Sequence, residues 1–279
     1  MQQQKTGALQ MSAEQFDLNT VKVSGVITKL WGRNGDVFAR LHIAPAAETD
    51  APHITLRIPD GMIAGKPLTL KAGDAARIAG YLSHVAYVES LRRFLEEAGE
   101  KRFFEEQIPP DDLDDWRAIT FRRQNALVNV LDLKVEQSEP LNFVDLEGVV
   151  AKVWEYPRER EADAFARIAC YDQHAPAGEG TRNFGRVVRL PHYINIRFPG
   201  GKTTHGADVS LKQKQRLRVR GQLHDGGRSL TLRDQLNALG SSQVVDLMNR
   251  VKNPELLMQI AAQQESLHVI ASAIVLYSR

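Results

Sequence analysis

With 279 residues, 43% of them in the hydrophobic class and 25% charged, the chain is long enough to bury two separate cores. A formal net charge of +2 is too small to point to nucleic acid by itself, and no run approaches the roughly 18 apolar residues of a spanning helix, so no membrane partner is expected. The single cysteine, Cys170, excludes a disulfide framework and fits a reducing cytoplasm.

Met1 to Gln15 are polar and glutamine-rich, and residues 1–18 read as a flexible leader. Strand-like segments follow at Val21 to Trp31 (VKVSGVITKLW), Asp36 to Ile43 (DVFARLHI), Ile54 to Gly61 (ITLRIPDG) and Leu70 to Leu82 (LKAGDAARIAGYL). Each alternates apolar and polar residues between Gly, Pro, Asn or Asp turn signals, the period-2 mark of a half-buried strand. In the second segment Ala39, Leu41 and Ile43 share the inward face, leaving Phe38, Arg40 and His42 outward. In the third, Ile54, Leu56 and Ile58 point in and Thr55 and Arg57 out. Tyr87 to Glu106 reads as helical, with Val88, Leu91, Phe94 and Leu95 as its apolar stripe, and runs into the acidic stretch Asp111 to Asp115. Between Glu89 and Asp115 lie 4 basic and 10 acidic residues, an acidic arm on an otherwise mildly basic half. Ala126 to Val135 supplies a fifth strand.

The same order then recurs. Asp145 to Trp154 (DLEGVVAKVW) matches the first segment, Asp163 to Cys170 (DAFARIAC) the second, Ile194 to Gly201 (INIRFPGG) the third and Leu211 to Leu223 (LKQKQRLRVRGQL) the fourth. Four ordered matches make an internal duplication. Here Ala166, Ile168 and Cys170 are inward with Phe165 and Arg167 outward, and Ile194, Ile196 and Phe198 leave Asn195 and Arg197 outward. Ser241 to Val251 and Pro254 to Gln264 read as helices, the latter with Leu256, Leu257 and Ile260 on one stripe, before a last strand at His268 to Tyr277. Five short strands plus a helical insert between strands four and five, twice, predict a mainly β chain of two tandem OB-type barrels, over residues 19–139 and 140–279.

Binding of a single strand without reading its sequence needs exposed aromatics for base stacking and a basic groove for phosphates. Trp31 and Trp154, and Phe38 and Phe165, occupy matched positions, with Tyr156 and Tyr193 added in the second half. Arg40 and Arg167 flank the phenylalanines, Arg57 and Arg197 lie on the adjacent strand, and Arg33 follows Trp31. An arginine pairs with phosphate or lies flat on a base. Arg216, Arg218 and Arg220 form a further stripe along strand four, and Lys66 and Lys202 sit in loops suited to steering a strand. An insert, a barrel or a second subunit packed on the phenylalanines, or a barrel-end plug made by the tryptophans, is the competing reading of the same residues.

Leu70-Lys71-Ala72-Gly73-Asp74 followed by Ile78-Ala79-Gly80-Tyr81-Leu82 resembles the "L-K-x-G-D … V-x-G-x-L" segment of bacterial single-stranded DNA-binding proteins. The second copy keeps Gly221 and Leu223 but carries Lys214 and Gln215 where Gly-Asp stood. The resemblance implies the type with two OB folds per chain, assembled as a homodimer with four folds, acting on single-stranded DNA in replication, recombination or repair and associated with the nucleoid. Two departures stand beside it. Pro59 to Thr69 holds too many glycines and prolines for the helix those proteins carry between strands three and four, and the chain ends in an apparent strand where the family has an acidic tail that recruits replication or repair proteins. The acidic arm at Glu96 to Asp115 is a substitute for that tail, a shield for the groove, or simply a solvated helix and loop.

No enzyme is expected, and no metal or cofactor. Gly201-Lys202-Thr203 fails the phosphate-loop pattern because position 196 is Ile196, Cys170 and His174 lack a second ligand pair, and there is no nucleophile elbow or H-E-x-x-H helix. An OB protein-interaction scaffold and a single-stranded RNA binder are the alternatives.

Overall fold

The computed structural model describes residues 16–43, 53–63, 65–156, 163–183, 186–226, 228–240, 242–264 and 267–277. Ten long strands form one continuous sheet: β1 (Asn19–Arg33), β2 (Asp36–Ile43), β3 (His53–Ile58), β4 (Ala75–Ser90), β5 (Thr120–Val135), β6 (Asn142–Tyr156), β7 (Asp163–Cys170), β8 (His192–Phe198), β9 (Arg216–Asp225) and β10 (Leu267–Leu276). Strand β1 pairs with β2, β2 with β3, β5 with β4, and β4 returns to β1, all antiparallel; β3 and β5 close the ring in parallel. The second five strands repeat this, with β8 and β10 as the parallel pair. Strand order 1-2-3-5-4-1 with one parallel closure is the OB barrel, present twice.

The alternation read from sequence produces the cores. Ala39, Leu41, Ile54, Leu56 and Ile58 are buried in the first barrel, and Ala166, Ile168, Ile194, Ile196 and Phe198 in the second. Strand four passes so close to strand five that a Cβ on Gly80 would lie 2.1 Å from the Asn129 carbonyl oxygen, and one on Gly221 2.1 Å from that of Ile270. A bulge beside each glycine bends strand five at the same place in both copies.

The barrels meet through their first strands. Strands β1 and β6 pair antiparallel from Asn19 opposite Leu146 to Val23 opposite Asn142. The Asn19 amide donates to the Leu82 carbonyl at 2.8 Å while its oxygen accepts the Leu82 N–H at 2.9 Å; Asn142 makes the same two bonds to Leu223 at 2.9 and 2.8 Å. Asp17, within the expected leader, is buried: it pairs with Arg216 and accepts the Tyr171 N–H. The remainder of that leader, residues 1–15, lies outside the described residues.

The inserts differ from expectation in extent and in partnership. Strand β4 continues to Ser90, so Tyr87 and Val88 are strand residues and Val88 is 60% exposed. Helix α1 (Leu91–Ala98) starts only there, with the Ser90 hydroxyl accepting the Arg93 N–H and Gly99 at φ 73° ending it. Helices α2 (Lys101–Gln107) and α3 (Leu113–Arg117) follow. In the second insert, α4 (Leu232–Leu239) was not foreseen; a Thr231/Asp234 capping box opens it. Helices α5 (Ser242–Met248) and α6 (Pro254–Met258) match the expected pair, but 261–264 forms a strand with 228–231 instead of extending the last helix. Leu256 is correspondingly exposed, while Leu257 and Ile260 are buried.

Neither insert folds over its own barrel alone. Leu91, Phe94, Leu95, Phe104 and Trp116 of the first share one core with Leu232, Leu236, Leu247 and Leu257 of the second. Arg250 pairs with Asp112 at 2.9 Å across the junction. Each helix set is too short to bury its apolar face unaided, so each completes the other. Among the described residues no helix is long and apolar enough to cross a membrane.

Candidate functional site

The tight turn Asn34-Gly35, with φ of 53° and 85°, joins β1 to β2 and sets Trp31 directly opposite Phe38. Their rings are nearly parallel, 13° apart, with centroids at 5.7 Å, an offset stack along the barrel surface. The Lys29 ammonium lies 5.8 Å from the Trp31 ring centre. Across the next ladder Phe38 faces Arg57, and Arg40 faces Thr55, to whose hydroxyl it donates at 3.1 Å. Arg57 is held by Asp36 at 2.7 Å, and the other Asp36 oxygen accepts the Asp60 N–H at 3.1 Å.

The second barrel reproduces this side chain by side chain. Trp154 faces Phe165, with centroids at 5.6 Å and planes 12° apart. Lys152 lies 5.8 Å and the Arg167 guanidinium 5.9 Å from the Trp154 ring. Arg167 donates to the Asn195 side chain at 3.0 Å, Arg197 pairs with Asp163 at 2.8 Å, and Asp163 accepts the Gly200 N–H at 3.0 Å. Trp31, Phe38, Trp154 and Phe165 are all half-buried.

The matched sites are joined across the barrel interface. Arg40 and His53 lie in electrostatic reach of Asp225 on β9. Beside it, His224 meets His268 with ring centroids at 5.1 Å, and His268 meets Phe165 at 6.3 Å. Reciprocally, His84 on β4 of the first barrel lies in electrostatic reach of Arg167 of the second. Burial holds the His84 imidazole down to about 4, with the Arg167 and His192 charges adding to the effect. His53 is lowered by burial, then by His42 and Arg40, and His224 by burial, then by Arg197. These histidines are neutral at pH 7, which leaves the arginines and lysines as the charge of the face.

The remaining expected residues are placed unequally. Arg33 is exposed and stacks on Tyr87 at 5.5 Å, so the long β4–β5 hairpin flanks the first Trp–Phe pair. Tyr193 is exposed on the same outward face as Arg197, and Tyr156 ends β6 with a side chain outside the described set. Lys66 is exposed on the small hairpin Met62–Ile63/Lys66–Pro67, and Lys202 lies 4.0 Å from Asp208. Arg216, Arg218 and Arg220 each meet a carboxylate. Arg218 grips Asp145 through two bonds of 2.7 and 2.6 Å, Arg220 reaches the same carboxylate at 3.1 Å, and Arg216 pairs with Asp17. Burial works against ionisation of Asp145, but the Arg218 and Arg220 bonds outweigh it and hold the carboxyl below its usual range.

Lys29, Lys152, Asp36, Asp163 and Tyr87 belong to the faces and were not singled out from sequence. The signal was present for the first four: a lysine two residues before each tryptophan shares its side of the strand, and an aspartate opens both D-x-F-A-R segments.

No family model matches the chain, and no curated protein matches it. Among solved structures it is similar to the single-stranded DNA-binding protein of Thermus aquaticus, at 11% identity over 95% of each chain with a TM-score of 0.49. A deletion mutant of that protein is similar at 13% identity over 75% of this chain and 88% of the other, with a TM-score of 0.42. At that level of likeness the OB assignment rests on the strand pairings themselves.

Proposed function

We propose that the chain binds single-stranded DNA without reading its sequence, seating unpaired bases on two Trp–Phe platforms and phosphates on the arginines beside them. One observation carries this: the stacked pair, its lysine, its two arginines and the aspartate behind them recur at equivalent places on both barrels, across strands one, two and three. A core-forming role does not need exposed indole with cations at its edge, whereas a stacking platform does. Asp36 and Asp163 fix the guanidinium planes in advance, so less side-chain freedom is lost when a phosphate or base arrives. In this reading the strand-four arginines are committed to their ion pairs with Asp145 and Asp17 and do not meet the strand.

Titration with oligo(dT) tests it: indole emission is expected to fall as bases stack, and affinity to fall as salt rises. Absence of both responses removes the reading, and competition with matched RNA separates DNA from RNA preference. A homodimer, which the sequence resemblance implies, would bring four barrels together; mass measurement of the free protein decides it. A role in replication, recombination or repair follows from the same reading.

A further inference from the structure

The two platforms are related by a two-fold axis, and a polynucleotide strand has no such symmetry. Strand β1 lies antiparallel to β6 with Val21 opposite Val144. These are equivalent positions of the repeat, separated by the same 123 residues as Gly25 from Gly148 and Trp31 from Trp154. An antiparallel pair in which a residue faces its own equivalent has its dyad at that pair. Asn19 opposite Leu146 and Val23 opposite Asn142 exchange equivalent positions in the same way. The packing of β4 against β8 and of β9 against β3 is reciprocal in the same way.

Each platform meets a strand with its aromatics, guanidiniums and lysine in a fixed spatial order, and a sugar–phosphate chain running 5′ to 3′ differs from one running 3′ to 5′. A face therefore selects one direction, and the dyad reverses that direction at the second face. Resting on the reading above, we infer that one chain holds two unpaired segments of opposite polarity. The ligand is an antiparallel pair of single-stranded segments, supplied either by one strand that doubles back or by the two strands of an opened duplex.

The experiment loads the full chain with two short oligo(dT) molecules, each within the roughly 4 to 16 nucleotides that one barrel accommodates. Dyes are placed on both 5′ ends, on both 3′ ends, or on one of each, and distances are read by single-molecule energy transfer. Antiparallel occupancy gives a single distance for the mixed pair, with the 5′–5′ and 3′–3′ distances unequal or both longer than it. Coincident 5′–5′ and 3′–3′ distances that are no longer than the mixed one, or that accompany two different mixed distances, mean parallel occupancy and overturn the inference, as does binding of one oligomer per chain. In those cases indole quenching survives and the single-strand reading stands; loss of quenching altogether removes both. Competition between a long dT strand and a duplex with a dT bubble of equal unpaired length then distinguishes the two sources, the tighter ligand being the one that better fits the antiparallel pair of faces.

Discussion

Replacing Trp31 and Trp154 together by alanine isolates the contribution of stacking, because the chain's third tryptophan is an internal control. Trp116 is 1% exposed within the shared insert core, out of reach of any base. Each platform indole is expected to contribute about 1 to 3 kcal/mol per stacked base, or roughly 5-fold to 150-fold in affinity. The two pairs sit on separate barrels, so their losses are taken to add to a first approximation, and the double variant is expected to bind roughly 30-fold to 10⁴-fold more weakly. The cost to folding is smaller: each ring is half-buried and forfeits its stack on Phe38 or Phe165, worth about 0.5 to 1.5 kcal/mol. Binding is best followed by anisotropy of a dye-labelled dT strand, since the variant has lost its own reporter; residual Trp116 emission should not respond to DNA. A folded double variant that binds within twofold of the unaltered chain, or Trp116 emission that is quenched as fully as the native signal, would refute the platform argument.

Arg40→Ala and Arg167→Ala are each expected to flatten the dependence of log K on log salt by about 0.7 if each arginine meets one phosphate, whereas Arg218→Ala should lower the urea midpoint by leaving Asp145 with the Arg220 bond alone, and leave the salt slope unchanged. His84 has a folded pKa of about 4 against an ordinary value of 6.5, so the unfolded chain binds the extra proton. Stability is then complete above pH 6.5 and falls as pH drops toward 4, by a loss on the order of 3 kcal/mol; in His84→Gln the urea midpoint should vary less across that window. Gly80→Ala and Gly221→Ala each drive a methyl to 2.1 Å from a strand-five carbonyl, and either should cost at least about 1 to 3 kcal/mol in chemical denaturation. A cost near zero would show that the strands separate there without penalty.

The barrels were legible because their information is local. Alternation in DVFARLHI and INIRFPGG states which side chains enter the core, and the ordered repeat multiplies a weak signal by two. For the same reason the outward placement of Phe38, Arg40, Phe165 and Arg167 followed directly. What was not legible depends on partners far away in sequence. The Arg216–Arg220 stripe reads as free charge until strand pairing brings Asp17, Asp145 and Glu147 beside it. Tyr87 reads as helical because Val88, Leu91 and Leu95 keep a helical spacing, yet pairing with β5 holds that segment extended to Ser90. The second insert's α4 hides its apolar face, Leu232 and Leu236, in a core half of which comes from residues more than a hundred positions earlier.

That shared helical core acts as a mechanical brace. Each barrel lends part of it, so a hinge that spread the barrels would have to expose Phe94, Phe104, Leu236 and Leu257 to water, at a cost far above thermal energy. The spacing of the two Trp–Phe pairs is thereby gauged by the protein and not by what it holds, and either half expressed alone would present an uncovered greasy surface prone to aggregation.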